Sequence, residues 1–363
     1  MGRSKAIDML RAVAVALVLG AHMDRCPSAT SEVLYFLTNL WANCGWVGVD
    51  IFFVMSGYLV SRLLFREYAR TGGISLKTFF VRRGFKIYPA FWMLTLITVT
   101  VWLVCGTPFK PLAVASELLF IQNYGPALWN HTWSLAVEEH FYIFLALLFG
   151  GLAALKIPRR PFRVIPVVFL ALAVTCLVLR LVGWEVSPMF IDKFHLYPTH
   201  LRMDSLFAGV LVAYLQHTRG DVFVAWTRRW RWPLRVVGIS LFIPAVVMPL
   251  KATWFISTFG LTFFYTGAAF VLMSLLTERV RGGRLGAVVA YVGSHSYSIY
   301  LWHMPVLYWL VPAIAGSFKA ERNWYLYFLT CVLGSIGGGI LLANLIEFPM
   351  LRWRDRHFPS RGR

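Results

Sequence analysis

The chain has 363 residues, 58% of them hydrophobic and 16% aromatic, with a mean hydropathy of +0.65. A soluble domain is roughly 45–50% apolar, so this composition excludes an ordinary globular enzyme. The net charge of +19, from 35 Lys and Arg against 16 Asp and Glu, would suit a nucleic-acid binder, but the basic residues lie in short connections between apolar runs and no nucleic-acid partner is expected.

Runs of about 20 apolar residues read as membrane helices. Ten are predicted, near 6–23, 46–65, 87–105, 133–155, 164–183, 200–217, 236–250, 254–276, 296–315 and 324–346. The expected fold is therefore all-α and polytopic, one integral-membrane domain over 1–363 with no appended soluble domain. Sorting the 35 basic residues by alternate connection places 26 on one side and 6 on the other, with Arg11, Arg180 and Arg202 in or at the edges of spans. That asymmetry is a positive-inside signal, and it puts both termini in the cytoplasm. No small-residue cleavage site follows the first apolar run, which reads as a retained span.

The first span, "MLRAVAVALVLGAHM" at 9–23, carries Arg11 and His22 as its strong polar groups. Eleven helical residues rise roughly 16 Å and turn about 1100°, so the two share a face within roughly 20°. A membrane arginine costs about 2.5–3.5 kcal/mol on the insertion scale. Arg11 alone fits either snorkelling to headgroups or the bundle interior; the shared face favours a polar track through the bundle. In the second span, "GVDIFFVMSGYLVSRLL" at 48–64, Ser56, Gly57 and Tyr58 break an apolar run. Gly57 permits close backbone approach, and simple helix packing explains it equally well.

The third span is entered through "VRRGFKIYPAFW", 81–92, where Arg82, Arg83 and Lys86 would meet an anionic cytosolic ligand. Guanidinium groups bind phosphate in fork geometry; the plain alternative is a positive-inside cluster. The fourth opens with "HTWSLAVEEHFYIF", 131–144, placing Glu138 and Glu139 inside the span and Ser134 and Tyr142 on the face of Glu138. A carboxylate that charges and orients a histidine makes a general base, so Glu138 is expected to serve His22, with Glu139 as the secondary candidate; a structural ion pair is the alternative. Further on, Arg202 and Asp204 either pair with each other across a turn or hold an acceptor. His303, in the ninth span, is a second possible cavity residue or an ordinary packed histidine. Cys26 and Cys44 fall in the first outer loop, where a disulfide would form if that side is oxidising, although spacing alone does not establish one. No Cys or His spacing resembles a zinc site, and no metal is expected. No internal repeat is visible.

These motifs, in this order, resemble the integral-membrane acyltransferases of acyltransferase family 3, over nearly the whole chain. The family's Arg or Lys, ten residues and His match Arg11 and His22. Its Phe-Phe-x-x-Ser-Gly-Tyr element matches Phe52, Phe53, Ser56, Gly57 and Tyr58. Its Arg-x-x-Arg-(Ile)-Tyr-Pro element matches Arg83, Lys86, Tyr88 and Pro89, with Lys86 departing from arginine and losing the bidentate fork. Its Trp-Ser-Leu-x-Val-Glu-x-x-Phe-Tyr element matches Trp133, Ser134, Leu135, Val137, Glu138, Phe141 and Tyr142. Looser similarities are "RMDSLFAG" at 202–209 and "SYSIYLWHMP" at 296–305.

The resemblance implies an O-acyltransferase in a bacterial inner (plasma) membrane. Acyl-CoA, acetyl in the first instance, would be a cytosolic co-substrate, with no tightly bound cofactor. Its phosphates would lie near Arg82, Arg83 and Lys86, and its arm would pass Arg11, Ser56 and Tyr58. His22 would act as general base on an acceptor hydroxyl, with Glu138 behind it. Trp133, Ser134, Arg202 or Asp204 would hold the acceptor or the oxyanion. The acceptor class stays open between a lipid-linked or cell-envelope saccharide and a small hydroxylated metabolite such as a macrolide. The oligomeric state is also open. A sugar-lipid transporter or flippase is the competing class, against which stands the lack of an inverted repeat. A non-catalytic scaffold would leave the intramembrane Arg11, His22 and Glu138 without a role.

Overall fold

The computed structural model describes residues 4–155, 161–251, 253–278, 283–317 and 323–359. The basic residues Arg3, Lys156, Arg159, Arg160, Arg279, Arg281, Lys319, Arg322, Arg361 and Arg363, counted above for orientation, lie outside them. The described chain is helical, with no strand among the described residues. In order the helices are α1 (Lys5–His22), α2 (Glu32–Cys44), α3 (Gly48–Thr71), α4 (Leu76–Val104), α5 (Pro111–Leu118), α6 (Trp133–Ala154), α7 (Ile165–Val186), α8 (Asp192–His195), α9 (Met203–Arg229), α10 (Arg231–Ser240), α11 (Ile243–Val247), α12 (Leu261–Leu276), α13 (Arg284–Ser294), α14 (Ser296–Pro305), α15 (Val311–Ser317), α16 (Trp324–Leu342) and α17 (Phe348–His357).

Six helical stretches are long and apolar enough to cross a membrane, or seven if α9 to α11, bent by 71°, form one span. The expected ten are not reproduced, for identifiable reasons. Helix α1 carries Lys5, Asp8 and Arg11 within 18 residues. The predicted span 296–315 is an uninterrupted helical stretch, α14, a π-helical turn and α15, and its His303, Pro305, Pro312, tyrosines and tryptophans lower its hydropathy. The predicted span 236–250 is split between α10 and α11. Helix α2 is an addition: it runs through a short 3₁₀ turn into α3, so 32–71 forms a single 40-residue stretch.

Local chemistry sets several helix ends. Ser31 and Ser75 accept backbone N–H bonds from Leu34 and Thr78, and Asn323 accepts from Tyr325 and Leu326. Each satisfies donors that an α-helix leaves open at its start.

The most extensive helix pair in the core is α3 against α9. A Cβ on Gly57 would overlap the Leu206 carbonyl oxygen, and one on Gly209 would overlap that of Val54. Small residues at a membrane helix contact let backbones approach closely; here the two glycines do so reciprocally. Gly57→Leu is expected to separate the helices and destabilise the protein by about 3 kcal/mol, the upper end of overpacking costs. Thermal unfolding in detergent reads this; an unchanged midpoint would mean that α9 yields without cost.

Around that contact lies a buried ionic network. Arg180 on α7 donates to both carboxylate oxygens of Asp204, at 2.6 and 2.7 Å, and to the Leu201 carbonyl. Arg202 donates to Asp50 on α3 at 2.7 Å, and Ser205 donates to the same oxygen. Arg202 and Asp204 therefore do not pair with each other. Arg202 precedes α9 with a non-helical φ of −129° and turns to α3, whereas Asp204 is in the helix and faces α7.

All five cysteines are free. The Cys26–Cys44 bridge is absent because Cys26 docks at Thr38 on α2. That is about 9 Å of helix rise before Cys44, and a bridge needs Cα atoms within about 7 Å.

Candidate active site

Helix α1 connects two cavities. The first is lined by Arg11, Ser56, Arg83, Lys86, Glu138 and Tyr142, over an apolar wall that includes Phe52, Phe53 and Leu59. The second, of about 400 Å³, is lined by His22, His131, Trp133, Tyr197 and Arg202, with Arg25, Asp192 and Lys251. Val49 and Tyr300 line both, so they form the partition. The Arg11 and His22 side chains thus share a helix face and open into different chambers.

Three cationic side chains converge on the first chamber. Arg11 is held by Asp8 one turn back, at 3.2 Å. Arg83 lies over the Tyr142 ring, 5.9 Å from its centroid. Lys86 forms an ion pair with the buried Glu347 and lies over the Tyr297 ring. Glu138 accepts from the Tyr142 hydroxyl at 2.8 Å, and Ser56 lies 2.7 Å from that hydroxyl. The Tyr142 proton goes to the carboxylate, so Ser56 donates to Tyr142. Asp8 and Glu347 offset Arg11 and Lys86, which leaves Arg83, in no ion pair among the described residues, as the cation best placed to meet an anionic ligand.

The second chamber is organised by imidazoles. His22 Nδ1 is 3.0 Å from the Val18 carbonyl, and 3.3 Å from His303 Nε2. His303, fully buried on α14, makes its Nδ1 contact with the Tyr300 carbonyl. His131 meets the His303 ring edge-on, 5.0 Å between centroids, and its Nε2 is 3.1 Å from the Leu301 carbonyl. Trp133 stacks on Tyr197 at 4.8 Å. Arg202, 1% exposed, lies over the rings of Phe53 and Trp133, and its Nε and Nη1 have no hydrogen-bond partner among the described residues. The partition is fastened by Tyr300, whose hydroxyl donates to the His131 carbonyl at 2.6 Å while Ser134 lies 2.6 Å from it.

Several expected site residues lie elsewhere. The pairing of Glu138 with His22 is not formed: Glu138 belongs to the first chamber, and the side chain at His22 is His303. Depth along the bundle was legible, but the azimuth of α6 relative to α1 was not. Arg82 turns away from the cavity to Asp355 at 2.9 Å and the Phe358 carbonyl. Tyr58 is buried against Gln216 at 2.8 Å and lines neither chamber. Asp204 is bound by Arg180, and Glu139 accepts from Tyr88 at 2.9 Å outside both linings. Sequence reasoning missed His131, Tyr300 and Asp50. His131 lies in a 3₁₀ turn, Asn130–Thr132, and so had no helical periodicity to mark its face. Among the described residues no group of His, Cys, Asp or Glu is arranged to hold a metal ion.

A family model described as an acyltransferase domain matches residues 4–344. The chain belongs to that family, acyltransferase family 3, as its motifs indicated. Relatives include a Staphylococcus aureus (strain MRSA252) protein provisionally named an O-acetyltransferase, 27% identical over 98% of this chain and 59% of its own length. A Bacillus subtilis (strain 168) protein provisionally named a peptidoglycan O-acetyltransferase is 28% identical over 93% of this chain and 55% of its own. The O-acetyltransferase OatA of Staphylococcus aureus (strain NCTC 8325 / PS 47) is 27% identical over 76% of this chain and 48% of its own. The chain thus spans about half of the length of the curated relatives it matches. No solved structure matches it.

Proposed function

We propose that this chain is a bacterial inner-membrane O-acyltransferase that moves an acetyl group from cytosolic acetyl-CoA to a hydroxyl of a cell-envelope saccharide. The observation that carries this reading is the back-to-back pair of chambers, one cationic and one built on His22, divided by Tyr300 and Val49. We take the cationic chamber to face the cytoplasm, the side on which the ten-span reading of the sequence concentrates the basic residues. Arg83, Lys86 and Arg11 then meet the phosphates and polar arm of the donor, and the apolar wall takes the acyl end. The names of the relatives support a saccharide acceptor on the far side.

In this reading the acceptor hydroxyl enters the second chamber and attacks the thioester carbonyl at the partition. His22 takes the hydroxyl proton as the C–O bond forms. The tetrahedral intermediate collapses with cleavage of the C–S bond, and the His22 imidazolium returns the proton to the departing thiolate. Arg202, with Nε and Nη1 unpartnered among the described residues, serves as the oxyanion donor. Ser134 spends its one proton on the Tyr300 hydroxyl and holds the partition, and Trp133 and Tyr197 offer a stacking face for a sugar ring. Tyr58, Asp204 and Glu139 take structural roles in this scheme, and Arg82 braces the donor entrance through α17.

Purified protein in nanodiscs should release CoA thiol from acetyl-CoA when a hydroxyl acceptor from envelope saccharide is supplied. Arg83→Ala should raise KM for acetyl-CoA about tenfold or more, the worth of a charge-assisted hydrogen bond, with KM for the acceptor little changed. A raised acceptor KM with unaltered donor KM would reverse the assignment of the chambers. Failure of the wild type to bind CoA would remove the donor and leave a sugar-lipid carrier as the reading to pursue.

A further inference from the structure

We infer that His303 is the positioning residue for His22: together with the Val18 carbonyl it holds the proton of that ring on Nδ1 and leaves the Nε2 lone pair for the second chamber. This rests on the reading of His22 as the base. A carbonyl oxygen only accepts, so the contact of His22 Nδ1 with the Val18 carbonyl places the proton on Nδ1. The same rule at the Tyr300 carbonyl places the His303 proton on its Nδ1 and leaves a lone pair on Nε2. That lone pair faces the His22 Nδ1–H at 3.3 Å. The one hydrogen is shared between Val18 and His303, and the His22 Nε2 is the remaining basic atom.

The arrangement is rigid on the His303 side. His303 is fully buried, and Tyr300, one turn earlier on α14, is tied to both Ser134 and His131. The His131 ring closes the third side of His303 at 5.0 Å. Once His22 has taken a proton on Nε2, its imidazolium still donates through Nδ1 to two acceptors. Hydrogen bonds from an ionised donor are roughly twice as strong as neutral ones, so His303 stabilises the charge as it develops. A carboxylate usually fills this place behind a catalytic histidine; here the carboxylate expected for it, Glu138, lies in the other chamber and an imidazole stands in its stead.

Two substitutions separate positioning from packing. In His303→Gln the side-chain oxygen reaches about as far as Nε2, so an acceptor for His22 is retained. In His303→Asn the amide reaches only the Nδ1 position, so the Tyr300 contact is retained and the acceptor for His22 is lost. Measured alongside His22→Ala, His303→Asn should lower kcat about 100-fold, within the range of general-base effects, with KM for acetyl-CoA within about twofold. His303→Gln should recover kcat to within about tenfold of wild type. Equal losses in the two variants, or a wild-type kcat in His303→Asn with His22→Ala inactive, would overturn the positioning role alone. Normal turnover by His22→Ala would remove the base reading itself.

Discussion

Alanine at His22 is expected to abolish acyl transfer, lowering kcat at least about 10³-fold, while the protein still inserts and still binds CoA. The magnitude follows from what the imidazole supplies. A positioned general base contributes about 10²–10⁴-fold, and in the proposed scheme the same imidazole would return the proton to the departing thiolate, so both halves of the exchange would be lost. Binding should survive because the cationic side chains lie in the other chamber, beyond the Tyr300 and Val49 partition. Folding should survive because His22 ends α1, is exposed to the cavity and has His303 as its one side-chain hydrogen-bond partner among the described residues. The measurement is thiol release under saturating acetyl-CoA, paired with CoA binding by the same preparation. Full turnover would exclude His22 from the chemistry. Loss of both turnover and CoA binding would mean that α1 holds the donor chamber together and that the two chambers are not independent.

The largest stability effect is expected at Asp204. Arg180 and Asp204 are both fully buried and joined through both carboxylate oxygens. Removing one partner leaves the other charge uncompensated, which costs about 3–5 kcal/mol. Asp204→Ala leaves Arg180 with the Leu201 carbonyl and Thr262 as its described partners, which accept a hydrogen bond but do not neutralise the charge. Thermal unfolding in detergent should show a large fall in the midpoint. Replacing both residues, Arg180→Met with Asp204→Leu, should recover much of that loss, because a buried pair is often matched by well-packed apolar groups. If the double variant is as unstable as Asp204→Ala, the pair specifies the packing of α7 on α9 beyond its charge balance. The neighbouring Arg202–Asp50 pair differs in kind, since Arg202 also lines the second chamber and presents Nε and Nη1 without partners.

Much of the site was legible residue by residue. A period of 3.6 is enough to put Arg11 and His22 on one face and Glu138, Ser134 and Tyr142 on another. Composition is enough to require that such groups face the bundle rather than lipid. The family motifs then supplied an order and a chemistry. Partner choice was not legible. Glu138 was expected at His22 because both lie at a similar depth, yet whether two helices at one depth meet depends on their rotation and on which helix stands between them. Arg202 and Asp204 are two apart in sequence and diverge because the chain enters α9 between them.

By itself, then, the sequence determined an all-helical membrane protein, the shared face of Arg11 and His22 on α1, the basic cluster in the first half of α4, and membership of an acyltransferase family, because these follow from local periodicity, hydropathy and motif order. Tertiary structure alone decided that the track is interrupted by Tyr300 into two chambers, that Arg82 and Tyr58 face away from them, and that His303 rather than a carboxylate stands behind His22. Those outcomes depend on contacts between residues as far apart as His22 and His303, on helices α1 and α14 that are themselves closely packed through Gly293 at Asp8 and Gly339 at Ile299.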